Sequence, residues 1–219
     1  MKLTVVAATG GIGCHLLDQA VAAGHEVTAV ARHPDRLPAP GQPGAPARVV
    51  LADLTTAGAL ATAIAGADAV VSALGPRHCG EDGVVSVGTR RIIDAMRQAD
   101  VRRLVLISVA GIAMRPGDEP DQGAGWFTRA VLSRIARARL ARHYDDIAAT
   151  HRLLRTTDLD WTAVGAPLLT DKPATGRYRT AIDQSVRGGW RITRADAAAS
   201  MLAVLDQPAT VRHCVAIAN

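Results

Sequence analysis

The sequence predicts an α/β fold in which a mostly parallel, doubly wound sheet is covered by helices on both faces. Short apolar runs follow one another through residues 3–108, and segments of helical periodicity lie between them. The runs are apolar throughout rather than alternating, as strands buried on both faces are. The connections are short, and this order of elements is typical of doubly wound parallel sheets.

Five strands are predicted in the first half of the chain, and they lie at residues 3–8, 26–31, 48–51, 69–74 and 104–108. Apolar residues at helical spacing predict helices at residues 12–21, 56–65 and 85–96. Gly24 follows the first helix and is a typical stop signal. Residues 33–47 hold five prolines and two glycines, and they are predicted to form a loop.

The pattern loosens in the second half. Residues 110–125 are predicted to form a loop, and two helices are predicted at 126–142 and 144–156. A sixth strand is expected at 160–164, a small hairpin from 177–181 and 190–192, a helix at 194–206 and a last strand at 214–217. We find no internal repeat and predict a single domain over residues 1–219.

Composition narrows the class of protein. Hydrophobic residues make up 48% of the chain, which is enough for a sizeable core. No apolar run reaches the roughly 18 residues of a membrane span, and the first residues resemble a strand entering a turn rather than a signal peptide. Cys14, Cys79 and Cys214 are odd in number and far apart. They predict neither a disulfide framework nor a metal site, and they favour a reducing cytoplasm.

The net charge is +5, and Lys2 and Lys172 are the only lysines, so arginine carries the positive charge. A basic chain is compatible with nucleic acid, with an arginine-rich composition bias, or with an anionic ligand. We favour a combination of the last two. A nucleic-acid interface normally interleaves aromatic residues, whereas Trp126 and Phe127 lie at one end of the basic segment. That segment contains Arg129, Arg134, Arg137, Arg139 and Arg142.

A glycine-rich turn separates the first strand from the first helix. It consists of Thr9, Gly10, Gly11, Ile12 and Gly13. At this place glycines allow a tight turn, and they let backbone N–H groups approach a pyrophosphate at the helix N-terminus. The alternative is a turn that only connects two elements. The repeated strand–helix order makes a dinucleotide site the better interpretation.

The residue at the end of the second strand selects between the two nicotinamide dinucleotides. An acid there binds the ribose 2′-hydroxyl of NAD, whereas an arginine accommodates the 2′-phosphate of NADP. Arg32 occupies this position, with His33 beside it and Arg36 nearby, although Asp35 lies between them. The sequence therefore predicts NADP (NADPH) as cofactor. Arg36 is equally well explained as a solvated surface charge.

The next strand ends are also candidate contacts for a dinucleotide, because ligands bind at the carboxyl ends of parallel strands. Asp53 and Leu54 follow the third strand, where an adenine would lie. Leu74, Gly75 and Pro76 follow the fourth strand, where a loop would line a ribose.

Several of these segments together resemble the atypical short-chain dehydrogenases, in the NmrA-like NAD(P)-binding branch. The resemblance runs nearly end to end. Within the branch, the chain is similar to the biliverdin-IXβ reductases, which are also called flavin reductases. The matching segments are residues 8–13, 24–27, 31–32, 53–54 and 73–75, then Ser108, and later residues 145–146, 151–155 and 171–178.

The resemblance implies an NADPH-dependent reductase on a Rossmann-type domain, with flavins or tetrapyrroles as acceptors. It places an active-site serine at Ser108, a histidine at His151 and a nicotinamide-facing loop at Pro167. Ala7 replaces the family's first glycine, and alanine is compatible with a strand end. Residues 110–142 match poorly. We expect the substrate beside residues 110–145 and 165–194, so substrate identity is the least defined feature.

The chemistry differs from that of ordinary short-chain dehydrogenases. Their Tyr-x-x-x-Lys pair is missing, because Ala148 follows Tyr144 and Ile182 follows Tyr178 at that spacing. Reduction of a conjugated acceptor needs less, because the acceptor delocalises the added electron pair and positioning supplies much of the rate. Tyr144 and His151 are seven residues apart and share a helix face. His151 would donate a proton, although spacing alone equally allows a buried structural histidine. Ser108 lies at a ligand-facing strand end, where it would hydrogen-bond the nicotinamide or the substrate. The alternative is a strand-end hydroxyl bonded to local backbone.

Three functions remain open at this point. The first is a reductase acting on a small, planar, anionic substrate. The second is a non-enzymatic NADP sensor that regulates a partner, as some NmrA-like proteins are. The third is an epimerase or dehydratase with bound NADP. The arginine-rich segment would attract an anionic substrate if it covered the site, but a solvated basic face explains it more simply. No membrane partner is expected, and the sequence does not indicate an oligomeric state.

Overall fold

Ten strands and five helices make up the part of the chain that the computed structural model describes, namely residues 1–52, 58–76, 83–110 and 133–219. The strands are β1 (Lys2–Val6), β2 (Glu26–Ala31), β3 (Arg48–Leu51), β4 (Ala69–Ser72), β5 (Arg103–Val109), β6 (Asp160–Ala166), β7 (Leu168–Thr170), β8 (Arg179–Ile182), β9 (Arg191–Thr193) and β10 (His213–Ala218). The helices are α1 (Gly13–Ala22), α2 (Ala59–Ile64), α3 (Val84–Gln98), α4 (Ser133–Arg155) and α5 (Arg194–Ala203).

Eight strands form the main sheet in the order β3-β2-β1-β4-β5-β6-β10-β8. All neighbours are parallel except β8, which runs antiparallel to β10. The chain winds outward from β1 to β3 and then returns to place β4 on the other side of β1. The direction changes between β1 and β4, and folds of this kind bind ligands at the carboxyl ends of the two strands beside such a change. The predicted doubly wound α/β class is confirmed.

The sheet is covered on both faces because its strands alternate between two apolar cores. In β1, Leu3 and Val5 belong to the core under α1 and α5, whereas Val6 belongs to the core under α2, α3 and α4. The polar Thr4 is also buried, and its hydroxyl donates to the carbonyl of Ala63. In the described ranges, no helix is both long and apolar enough to cross a membrane.

The second half departs from the predicted elements in two places. One uninterrupted helix, α4, replaces the two helices predicted on either side of residue 143. It contains no glycine or proline, so nothing in its sequence ends it there. The backbone of residues 133–142 is described, but their side chains are not. Arg129, Cys79, the predicted loop at 111–125 and the first residues of the predicted helix at 126–142 also lie outside the described residues.

The predicted hairpin of residues 177–181 and 190–192 is wrong. The first segment forms β8 and pairs with β10, and the second forms β9 and pairs in parallel with β7. β7 was not predicted, since three residues carry too little periodicity to identify a strand. Pairing with β8 covers the outer edge of the buried strand β10, and this long-range contact decides the partner.

Candidate cofactor site and active site

The turn after β1 requires glycine at position 13. A Cβ on Gly13 would lie far inside van der Waals contact with the carbonyl oxygen of Ala7, and 2.9 and 3.0 Å from the carbonyl carbons of Ala7 and Ala8. The start of α1 therefore packs directly on the backbone that leaves β1. Gly10 is tighter than usual but less constrained, since its Cβ would be 3.1 Å from the same oxygen. This geometry agrees with the predicted tight turn.

Ala7 does not lie in the strand, contrary to the expectation from sequence. β1 ends at Val6, and Ala7 has a left-handed backbone with φ of 60°. This conformation costs an alanine about 1 kcal/mol or more, and a glycine adopts it freely. The turn persists because the Gly10 N–H donates to the Ala7 carbonyl at 2.9 Å and the Ala8 N–H donates to Val30. The replacement of the family's first glycine is therefore a strained position rather than a neutral one.

The N-terminus of α1 is open to an anion. No described residue accepts a hydrogen bond from the backbone N–H of Gly11, Ile12 or Gly13. No side chain caps the helix, and its first turn holds no acidic residue. Free N–H groups and the positive end of the helix dipole together suit a phosphate. The loop Thr9–Gly13 thus fits a dinucleotide pyrophosphate.

Two guanidinium groups stand free at the end of β2. Arg32 directly follows the strand, and Arg36 ends the short helix Pro34–Arg36. Both residues are exposed, as are His33 and Asp35 between them. No described residue forms an ion pair with either arginine, so both are available to an external anion.

Those of the remaining predicted cofactor contacts that the structure describes follow the carboxyl ends of β4 and β6. β4 ends at Ser72 rather than at residue 74, and Leu74 is buried after it. Gly75 and Pro76 follow and are exposed, and Pro167 is half-buried directly after β6. Asp53 and Leu54, which follow β3, lie outside the described residues.

Ser108 and His151 meet at the carboxyl end of β5. Ser108 Oγ lies 2.8 Å from His151 Nε2, and the two side chains are 7% and 2% exposed. Strand β5 supplies the serine, and helix α4 supplies the histidine. Tyr144 lies two turns earlier on α4 and is half-buried, with its ring 6.5 Å from that of His143. It makes no hydrogen bond to Ser108 or His151. The structure therefore brings together two of the three predicted catalytic side chains.

Burial keeps the Ser108–His151 pair uncharged. Burial, together with a smaller effect of the nearby Arg155, lowers the pKa of His151 to about 4. The other ring nitrogen, Nδ1, lies 3.6 Å from the thiol of Cys214 on β10. Burial also raises the pKa of Cys214 to about 12, with Asp183 adding to the effect. At neutral pH, a thiol, a neutral imidazole and a hydroxyl therefore form one chain of hydrogen-bonding groups.

The low pKa of His151 predicts a specific loss of stability in acid. The unfolded chain takes up this proton near pH 6.5 and the folded chain only near pH 4, so stability falls as the pH drops through that interval. Between pH 7 and pH 4.5 we expect this group to contribute a loss of roughly 2–3 kcal/mol. Urea unfolding of the wild type and of His151→Gln measures it, with the exposed His33→Gln as control. Parallel pH profiles for wild type and His151→Gln would contradict the buried neutral state.

The sequence did not reveal a buried carboxylate, Asp196, which holds residues 175–176 and Asn219 against the start of α5. Asp196 accepts hydrogen bonds of 2.7–3.1 Å from Thr175, from the Gly176 N–H and from the Asn219 amide. Burial opposes its ionisation, but these hydrogen bonds outweigh that effect and lower the pKa of Asp196 to about 2. Thr193 caps the helix by accepting from the Asp196 N–H at 3.0 Å. This Thr-x-x-Asp spacing is a helix-start signal that was present in the sequence.

Cys214 had no such signal, because it is one apolar residue of a buried strand. Its proximity to His151 arises only when β10 pairs with β6. Within the described ranges, no three His, Cys, Asp or Glu side chains come together as a metal site.

Comparison with known proteins identifies the family. Residues 7–208 match the model of the NAD(P)H-binding family, which is most of the chain. The chain belongs to the NAD(P)H-binding family. The family predicted from the sequence is thereby confirmed, and the Rossmann-type sheet and the open N-terminus of α1 agree with it. The resemblance to biliverdin-IXβ reductases remains a prediction.

Solved structures of the same fold carry different descriptions. One is a protein of Burkholderia pseudomallei described as exported, with 29% identity over 100% of both chains and a TM-score of 0.74. A short-chain dehydrogenase/reductase of Veillonella parvula in complex with NADP is 16% identical over 100% of this chain and 94% of its own, with a TM-score of 0.78. A Bacillus halodurans protein described as an NAD-dependent epimerase/dehydratase is 22% identical over the same shares, with a TM-score of 0.77. The last two show the fold alone.

Proposed function

We propose that this protein is an NADPH-dependent reductase of a small, planar, conjugated and anionic acceptor, such as a flavin or a tetrapyrrole. The observation that carries this proposal is the Ser108–His151 hydrogen bond at the carboxyl end of β5. That strand lies two positions from β1 in the sheet, on the ligand-binding edge. A cofactor sensor has no need of a hydroxyl held there by a buried imidazole.

Different residues bind different parts of the dinucleotide in this proposal. The free N–H groups of Gly11, Ile12 and Gly13 bind the pyrophosphate, and Arg32 binds the 2′-phosphate. The turn Leu74–Pro76 lines a ribose, and Pro167 faces the nicotinamide. When bound, reduced nicotinamide supplies the hydride.

Ser108 presents a hydroxyl whose orientation is fixed by His151. Because the imidazole is neutral, it offers one donor and one acceptor, and Cys214 Sγ contacts its far nitrogen. The serine therefore orients a carbonyl or ring nitrogen of the acceptor, and solvent supplies the proton that accompanies the hydride. A conjugated acceptor needs no stronger acid, which agrees with the absence of a Tyr-x-x-x-Lys pair.

Cofactor choice gives a direct prediction for Arg32. Replacement by Asp is expected to weaken NADPH binding about 100-fold, because it removes a charge-assisted contact and adds repulsion to the 2′-phosphate. NADH lacks that phosphate, so its affinity is expected to stay within a few-fold. Fluorescence titration of both nucleotides measures the ratio, and Arg90→Asp at an exposed position of α3 serves as a charge-matched control. Equal weakening of both nucleotides would remove Arg32 from the 2′-phosphate site.

Steady-state oxidation of NADPH and NADH, with FMN, riboflavin and biliverdin as acceptors, tests the proposed reaction. The proposal predicts turnover that strongly favours NADPH and prefers the anionic FMN to riboflavin. Tight NADPH binding without turnover of any of these acceptors would favour a sensor over this reductase. Nucleotide-dependent conversion of a substrate with no net oxidation of NADPH would favour an epimerase or dehydratase.

We also propose that the protein works in the cytoplasm. Cys14 is an exposed free cysteine, which suits a reducing compartment. Cell fractionation with antibody detection tests this, and recovery from the medium or periplasm would contradict it.

A further inference from the structure

An arginine at the end of the segment predicted to lie beside the substrate, residues 165–194, lies against the phosphate-binding turn. Arg194 is the first residue of α5, and its side chain crosses to Gly11. A Cβ built on Gly11 would stand 2.8 Å from Arg194 Nε and 2.9 Å from its Cδ. The guanidinium thus occupies the space that a side chain at position 11 would fill. The N–H group of Gly11 itself has no hydrogen-bond acceptor among the described residues.

Several hydrogen bonds hold the backbone around Arg194 in place, whereas its guanidinium makes one exposed ion pair. Thr193 caps α5, Asp196 anchors residues 175–176 and Asn219 beside it, and α5 packs on α1 through a hydrogen bond from Gln19 to the Ala195 carbonyl. The tip of Arg194 pairs with Asp171, whose side chain is 87% exposed. An ion pair with so exposed a carboxylate adds little to stability, because solvent screens it.

We propose that Arg194 is a pyrophosphate-binding residue, which exchanges the carboxylate of Asp171 for the cofactor when the dinucleotide binds. A guanidinium is well suited to this exchange, because carboxylate and phosphate oxygens match the same fork of N–H donors. The pyrophosphate carries more charge than the carboxylate and is also held by the N–H groups of the loop. Arg194 then closes over the phosphates from the side of α5. The proposal needs cofactor binding only, so it stands or falls independently of the reductase function.

The test compares two ligands that share the 2′-phosphate but differ in the pyrophosphate. NADPH contains it, and adenosine 2′-monophosphate does not. Calorimetric titration of Arg194→Gln is expected to give an NADPH Kd about tenfold higher than the wild type. The Kd of adenosine 2′-monophosphate is expected to be unchanged. Arg194→Lys keeps the charge but loses the forked donor geometry. Its NADPH Kd is expected to lie between those of the wild type and of Arg194→Gln.

Asp171→Asn supplies the opposite change on an exposed residue that no other contact of the site requires. The substitution removes the carboxylate that competes with the pyrophosphate for Arg194. NADPH is therefore expected to bind about twofold more tightly. The gain is expected to vanish in the Arg194→Gln background. Three results would each overturn the proposal. Arg194→Gln could lose affinity for both ligands equally, it could lose affinity for neither, or Asp171→Asn could bind NADPH more weakly than the wild type.

Discussion

Replacing Gly13 by alanine is expected to abolish measurable NADPH binding and to lower the free energy of unfolding by about 3 kcal/mol. The added methyl group has no space, because it meets the backbone of Ala7 and Ala8 rather than a movable side chain. To relieve the overlap, α1 must move away from β1. That movement displaces the N–H groups that face the pyrophosphate, so stability and affinity are lost together. Chemical denaturation and NADPH fluorescence titration measure the two effects.

Two further glycine substitutions calibrate this result. Gly10→Ala brings a methyl group to 3.1 Å from the same carbonyl oxygen, so a smaller loss of both quantities is expected. Gly75→Ala meets no heavy atom within 4 Å, and it is expected to leave stability unchanged. A Gly13→Ala protein with wild-type stability and affinity would show that the turn adapts without cost. The role assigned to close packing of α1 on β1 would then be wrong.

Ser108→Ala is expected to reduce kcat/KM for acceptor reduction about 100-fold, while the NADPH Kd changes little. The variant removes the hydroxyl that orients the acceptor, and it leaves the phosphate loop and Arg32 untouched. Some stability is also lost, roughly 1–2 kcal/mol, because His151 Nε2 is left buried without its partner. Steady-state kinetics with NADPH and FMN, together with urea unfolding, separate the two effects.

The control for Ser108 is another buried serine at a strand end. Ser72 ends β4, and its hydroxyl makes only a long hydrogen bond of 3.4 Å to the Leu74 N–H, so Ser72→Ala is expected to retain most activity. A double variant tests whether His151 acts through Ser108. If it does, His151→Gln adds no further loss of activity in the Ser108→Ala background. Additive losses would mean that His151 has an independent role.

The part of the fold that could be predicted is the part built from local patterns. Strands β2 and β3 agree with the predicted residues 26–31 and 48–51, because each is an apolar run bounded by turn residues. The order of strands and helices up to β5 followed from the same alternation. The failures, α4 and the β8–β9 hairpin, concern segments whose limits or partners depend on distant contacts. Pairing of β8 with β10 is a contact that no short window of sequence contains.

The candidate site shows the same division. The places of Gly13, Arg32 and Ser108 near the carboxyl ends of β1, β2 and β5 could be predicted, because each follows or ends a clear apolar run. The buried state of His151 could not, because helical spacing does not distinguish a buried face from a solvent-facing one. Cys214 and Arg194 come from the last strand and helix of the chain. They reach His151 and Gly11 only through the folded sheet and the packing of α5 on α1.

The central claim is that a hydride passes from NADPH to a conjugated acceptor within this site. Anaerobic single-turnover reduction of FMN by NADPH tests it most directly, with the nicotinamide deuterated at either face of C4 in separate experiments. Our account predicts that flavin bleaching slows with one of these two isotopologues and not with the other, and that Ser108→Ala slows the same step. The absence of flavin reduction, or reduction equally fast with both isotopologues and with the protein omitted, would contradict it.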